Sequence, residues 1–220
     1  MRRLSLAVAV LALLTLSACS SASEPTEAAS ETASSSTSPA FPVAGDGSII
    51  TGGGYVFKGD FAICNKAKCA VPGADGTTQC TCDLLTDEWT LSPIPKNALD
   101  TLNSRGTTVS TFTTVNVTQA RSVKCQVGQW ADCYGALCTP NPDGTATCTC
   151  PVSTENPVEW MKYVDSCTGP DVGCSADLQS VAPLFKVDPS LQDFTAAVRQ
   201  AGDTIPGIPM ACPVPSDSTS

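Results

Sequence analysis

The apolar positions along this chain change rhythm several times, and each rhythm predicts a different kind of segment. Residues 4–16 are an apolar run broken only by Ser5 and Thr15, behind the basic Met1-Arg2-Arg3. A run that short does not span a bilayer, and its flanks are those of a secretory signal. From 20 to 47 the large apolar groups almost vanish and Ser, Thr, Ala, Glu and Pro dominate. Too little apolar surface is present there to offset the entropy of ordering, so a flexible tether is expected.

Beyond residue 47 the pattern becomes that of a folded body. Ile49-Ile50 and Tyr55-Val56-Phe57 read as strands around the Gly52-Gly53-Gly54 turn. Residues 95–105 predict a short helix with Leu99 and Leu102 on one side, ended by Gly106. Residues 107–118, dense in Thr, Val and Phe, predict a strand with Val109, Val115 and Val117 on one face, and the sequon-like Asn116-Val117-Thr118 falls inside it. Residues 157–165 predict a short helix opened by proline. The plainest helical period is 189–201: Asp188 caps it, Pro189 fits the first position, Leu191, Phe194, Val198 and Ala201 share a face, and Gly202 stops it.

The most informative pattern is a repeat. Gly59, Phe61, Ala62, Cys64, Ala67 and Cys69 are matched in spacing by Gly128, Trp130, Ala131, Cys133, Ala136 and Cys138. One residue is then gained or lost before Asp75-Gly76-Thr77 and Asp143-Gly144-Thr145, and both units close on Cys-Thr-Cys, at 80–82 and 148–150. Asn141-Pro142-Asp143-Gly144 has the residues of a tight turn, since Pro sets φ and Gly tolerates a positive one. Each unit is therefore expected to be a β-hairpin. Residues two apart on a strand face the same side, so Cys80 with Cys82, and Cys148 with Cys150, share a face. The expected partners are the earlier cysteines of the same unit, Cys64 and Cys69, and Cys133 and Cys138.

Composition sharpens the role of those thiols. The chain holds thirteen cysteines, and setting Cys19 aside leaves twelve: 64, 69, 80, 82, 125, 133, 138, 148, 150, 167, 174 and 212. An even number in an exported chain is the mark of a disulfide framework. Zinc or copper(I) on four thiolates is the rival, but the chain has no histidine and an exported site competes with oxidation. Disulfide exchange by Cys-Thr-Cys is the other rival, and neither pair has a basic neighbour in sequence to activate it. Structural disulfides are expected, with no metal and no cofactor.

Charge and motif content narrow the function classes. Losing residues 1–18 removes Arg2 and Arg3 and no acid, so the net charge falls from −9 to −11. That balance argues against nucleic acid and anionic lipid surfaces as partners. The absence of histidine removes Ser-His-Asp, Cys-His and the common zinc hydrolase sites. Gly52-Gly53-Gly54 is not a phosphate loop, because no Lys-Ser/Thr follows in place. Glu88 beside Trp89 and Glu159 beside Trp160 follow the two Cys-Thr-Cys motifs, and a carboxylate next to an indole suits a glycan. Core tryptophans with solvated glutamates are the preferred reading of both pairs. A two-carboxylate glycan hydrolase using Glu159 and Asp165 remains the enzymatic alternative.

Two resemblances add to this reading. Leu16-Ser17-Ala18-Cys19 resembles the lipobox of bacterial lipoproteins, which implies cleavage before Cys19 and lipidation of Cys19. Each buried methylene contributes about 0.8 kcal/mol, and durable anchoring takes more than one acyl chain. The segment Ala136-Leu137-Cys138 leading to Cys148-Thr149-Cys150-Pro151 resembles part of some uncharacterised exported bacterial proteins, and carries no activity over. EGF-like and follistatin-like modules share a C-x-C hairpin, but the other cysteine spacings here depart from theirs. The expectation is an α+β, β-rich, disulfide-stapled body with two Cys-rich hairpin units and a C-terminal helix. Its expected layout is a signal at 1–18, a lipidated tether at 19–47, and repeat regions at 48–124 and 125–220. The expected role is a non-enzymatic module on the outer face of a bacterial cell membrane, held by the lipid on Cys19 and binding an envelope protein or glycan.

Overall fold

The computed structural model describes residues 40–125, 128–153, 160–169, 172–174, 180–181, 188–207 and 210–213. The expected signal, Cys19, most of the tether and Glu159 lie outside the described residues. The fold is α+β and dominated by strands. The chain begins with β1 (Ile49–Thr51), then β2 (Gly54–Cys69) and β3 (Thr77–Ser92), a hairpin of two sixteen-residue strands. Helix α1 (Lys96–Asn103) follows, then β4 (Thr108–Thr111), a 3-10 turn at Val115–Val117, and β5 (Arg121–Cys125). The second repeat supplies β6 (Trp130–Asp132), β7 (Leu137–Pro140) and β8 (Thr145–Ser153). The last elements are β9 (Trp160–Val164), β10 (Ser180–Val181) and α2 (Asp188–Gln200).

Strand pairing joins the two repeats. β3 pairs antiparallel with β2 on one side and with β8 on the other. β8 pairs with β7, β7 with β4, and β4 runs parallel to β2. The ladder β2-β3-β8-β7-β4 therefore closes on itself as a ring of five strands, which removes the open edges a flat sheet would carry. Both repeats belong to one compact unit, Pro39–Ser220.

Alternation along these strands sends two residue classes to two sides. Inward from the ring point Ala62, Cys64, Cys80, Cys82, Cys138, Ala146, Cys148 and Cys150, all buried and packed together. Outside β2 and β4, Phe57, Phe61, Ile63 and Val109 are covered by Leu99 of α1. A third core gathers Ile49, Val56, Leu91, Phe112, Met161 and Tyr163 beneath Phe194, Ala197 and Val198 of α2. Phe112 and Phe194 meet edge to face at 6.1 Å, the arrangement that ring quadrupoles favour.

The predicted helices at 95–105 and 189–201 are present, with Pro95 as the first cap and Leu99 fully buried. Two other predictions are corrected. The strand expected over 107–118 stops at Thr111, followed by a single bridge from Phe112 to Leu91. Thr113 then uses its own hydroxyl to accept the Val115 amide, and its carbonyl accepts Asn65, so the chain curls into the 3-10 turn. Local side-chain bonds of this kind compete with a ladder. Asn116 thus sits in a turn rather than a strand, and Val117 is buried against the α2 core.

Of the helix expected over 157–165, residues 157–159 lie outside the described residues and Trp160–Val164 is instead strand β9, which pairs antiparallel with β5. Trp, Tyr and Val favour a pleated surface, and period-2 spacing lets Met161 and Tyr163 both enter the α2 core. Lys162 lies between them, buried, with its ammonium donating to the Gly173 carbonyl at 2.7 Å.

Candidate functional site

The residues with the greatest chemical promise in sequence, the cysteines, form six bonds: Cys64–Cys82, Cys69–Cys80, Cys133–Cys150, Cys138–Cys148, Cys125–Cys174 and Cys167–Cys212. Within each repeat the two same-face thiols of Cys-Thr-Cys take separate partners from the earlier strand. Cys69 lies directly opposite Cys80, and Cys138 directly opposite Cys148, both with Cα atoms 4.0 Å apart. Such closeness belongs to the non-hydrogen-bonded pairs of an antiparallel ladder.

The Asp-Gly-Thr triplet explains how each hairpin is turned. Asp75 accepts the Thr77 amide at 3.1 Å and its hydroxyl at 3.0 Å. Asp143 accepts the Thr145 amide at 3.1 Å and its hydroxyl at 2.7 Å. Gly76 and Gly144 follow with φ of 74° and 82°, where a side chain would be strained. The hydrogen bonds from Thr77 and from Thr145 hold both carboxyls below the usual carboxylate range.

The two units meet about a local two-fold axis. Cys80 faces its repeat equivalent Cys148, while Thr78 faces Cys150 and Cys82 faces Ala146, the same pair of positions exchanged. The axis gathers sulfurs: Cys64, Cys82 and Cys148, and separately Cys80, Cys133 and Cys150, have Sγ atoms within 4.8 Å of one another. Each of these sulfurs is half of a cystine, and metal binding needs thiolates. Cys80 is bonded to neither Cys82 nor Cys148, so the bridges run between strands and not within Cys-Thr-Cys.

The glycan-facing candidates are dispersed. Trp89, on β3, is half-buried against the α2 core, and its indole N–H donates to Asp203 Oδ2 at 2.8 Å. Lys58 lies 5.6 Å from the Trp89 ring centroid and pairs with Asp203 at 3.0 Å. The Trp89 and Lys58 bonds hold the Asp203 carboxyl down at about 2, and Asp203 in turn raises the Lys58 ammonium. Trp89 is thus an internal latch between the long hairpin and the end of α2, with its polar edge already used. Glu88, its neighbour, is half-buried on the same strand. Trp160 is a backbone partner of Cys125, and Asp165 is exposed and ion-paired with Lys66. The aromatic equivalents in the repeat, Phe61 and Trp130, are both buried.

Sequence reasoning missed three features that shape the region. Ser110 of β4 donates to Cys64 Sγ at 3.1 Å, placing a hydroxyl inside the ring. Tyr134 is buried enough to push its phenol up to about 12, and donates to the Gly53 carbonyl at 3.3 Å. Between Asn65, Ser110, Thr111 and Tyr134 lies a recess of about 10 Å³, enough for one water and no substrate. Hydroxyl content in 107–114 was visible in sequence, but which hydroxyls point inward depends on the ring closing.

These features define a class: a small, β-rich, cystine-cored module whose conspicuous cysteines are structural. No protein-family profile, curated protein or solved structure matches this chain.

Proposed function

We propose that this chain is a lipid-anchored, non-enzymatic binding or structural module of a bacterial cell surface. The reading joins the Leu16-Ser17-Ala18-Cys19 motif and the tether of 20–47 to a disulfide-stapled body. One observation carries the non-enzymatic part: the twelve body cysteines are committed to six bonds in a chain without histidine. The lipid on Cys19 holds the module to the outer face of the membrane, and its acidic surface turns towards an envelope protein or glycan rather than nucleic acid.

Metabolic labelling with an alkyne palmitate analogue tests the anchor. Label is expected on the wild type and lost in Cys19→Ala, which moves to the soluble fraction. Wild-type protein without label would refute it. Cross-linking in intact cells, followed by mass spectrometry, tests the binding role, and glycan turnover by the purified body would overturn the non-enzymatic reading.

A further inference from the structure

The six disulfides differ in what surrounds their sulfurs. Of the eight repeat cysteines, seven are at most 3% exposed, and only Cys69 is half-buried. Cys125 is 1% exposed, although its partner Cys174 is half-buried. Cys167–Cys212 is the bond in which both cysteines are half-buried. Exchange requires a thiolate to approach a disulfide sulfur, so a bond half-buried at both ends offers two points of attack where Cys69–Cys80 and Cys125–Cys174 offer one.

What each bond holds differs as well. Cys64–Cys82, Cys69–Cys80 and Cys138–Cys148 cross strands that the ring already ladders together, and Cys133–Cys150 ties the end of β6 to its ladder partner β8, so cut sulfurs there stay side by side and reclose. Cys212 sits instead on residues 210–213, which meet the edge of β5 through two backbone hydrogen bonds. Ser122 N–H donates to the Met210 carbonyl at 3.1 Å, and Cys212 N–H donates to the Ser122 carbonyl at 2.7 Å. Met210 is 70% exposed and Ala211 is exposed, so apolar burial adds little to this hold. The bond closes a sequence separation of 45 residues, so opening it returns the entropy of that loop closure to the segment.

We propose that Cys167–Cys212 is a releasable clasp: a dithiol reductant opens it before the other five bonds and lifts residues 210–213 off β5. One thiolate of the dithiol attacks Sγ of Cys212 or Cys167, forms a mixed disulfide and expels the other sulfur as a thiolate, which takes up a proton. The second thiol of the reductant then closes on the first, releasing the remaining cysteine. Two electrons and two protons pass to the protein, and the reductant leaves as a cyclic disulfide. The cystine core stays intact throughout, and the edge of β5 at Ser122 is uncovered. The clasp is independent of the lipid anchor and of the binding partner.

Graded dithiothreitol on the folded chain, quenched with iodoacetamide and read by peptide mass spectrometry, tests the order. Cys167 and Cys212 are expected to carry label at about one-tenth of the reductant needed for any repeat cysteine. Hydrogen exchange on the same samples is expected to show the Ser122 and Cys212 amides losing protection as that label appears. Any other bond opening first, or all six opening together, overturns the proposal. Ser122 staying protected after the clasp opens overturns it too. The Cys167→Ser/Cys212→Ser double variant is expected to lose the same protection without reductant while its strand signal in circular dichroism persists. Retained protection in that variant counts against the clasp.

Discussion

The interior of the five-strand ring and the core beneath α2 lie in one body and are stabilised in different ways. The hydrophobic residues buried in and beside the ring are cysteine and alanine: Ala62, Ala67, Ala131 and Ala146 with Cys64, Cys80, Cys82, Cys133, Cys138, Cys148 and Cys150, and the Ser110 hydroxyl lies among them on Cys64 Sγ. Beneath α2 the buried set is Ile49, Val56, Leu91, Phe112, Val117, Met161, Tyr163, Phe194 and Val198, with two alanines. The first uses small side chains because the strands are close, and it substitutes covalent cross-links for side-chain volume. The second works by area removed from water. A small body has limited apolar surface to bury, and cystines make up the difference.

The sharpest way to break this comparison is to empty the α2 core. Phe194→Ala removes a fully buried ring that touches Phe112, and is expected to cost about 3–5 kcal/mol in chemical denaturation. Removing one cystine from the ring, as Cys138→Ala/Cys148→Ala, is expected to cost about 3 kcal/mol, because the bond closes only a short loop. Thermal unfolding of the two variants side by side would show whether both cores melt together. A separate transition for either would mean that the shared strands β2 and β3 do not couple them.

Enlarging the ring interior is expected to have a smaller effect. Ala146→Leu inserts a branched side chain at a position with 0% exposure, and a loss of about 1–3 kcal/mol is expected. The same alanine-to-leucine change at the half-buried Ala98 of α1 should be nearly neutral in the same assay.

The smallest effect is a pH dependence at the Trp89 latch. Asp203 is held at about 2 in the folded chain, below its ordinary 3.8. Its contribution is therefore fully present above about pH 4 and is lost as pH falls towards 2. Trp89 fluorescence should report protonation over that window, and Asp203→Asn should abolish that component. An unchanged acid response in Asp203→Asn would show that the indole senses some other group.

Much of the cystine core was legible before folding, and the reason is locality. Asp75-Gly76-Thr77 and Asp143-Gly144-Thr145 each bend the chain with bonds made inside three residues. Period-2 geometry then puts Cys80 and Cys82 on one face, and the bonds to Cys69 and Cys64 follow at short range. The same locality made α1 and α2 readable from Pro95, Leu99, Pro189 and Phe194. Failure came where a residue's preference was settled by a distant partner. Residues 160–164 are a strand because β5 offers them a ladder and the α2 core receives Met161 and Tyr163. Residues 115–117 leave the strand because Asn65 and the Thr113 hydroxyl bond the chain there.

The sequence by itself determined the two hairpins, the expectation that each Cys-Thr-Cys bonds to the earlier cysteines of its own unit, and the two helices, since each rests on contacts between near neighbours; which cysteine takes which partner came from the structure. Only the tertiary structure decided that the repeats share one ladder, with Cys80 facing Cys148 across 68 residues of chain. It also decided that the ring closes through β4, and that Trp89 turns inward to Asp203. Pairing between strands so far apart depends on the total burial each register achieves. That quantity is a property of the assembled cores, and no local window of sequence contains it.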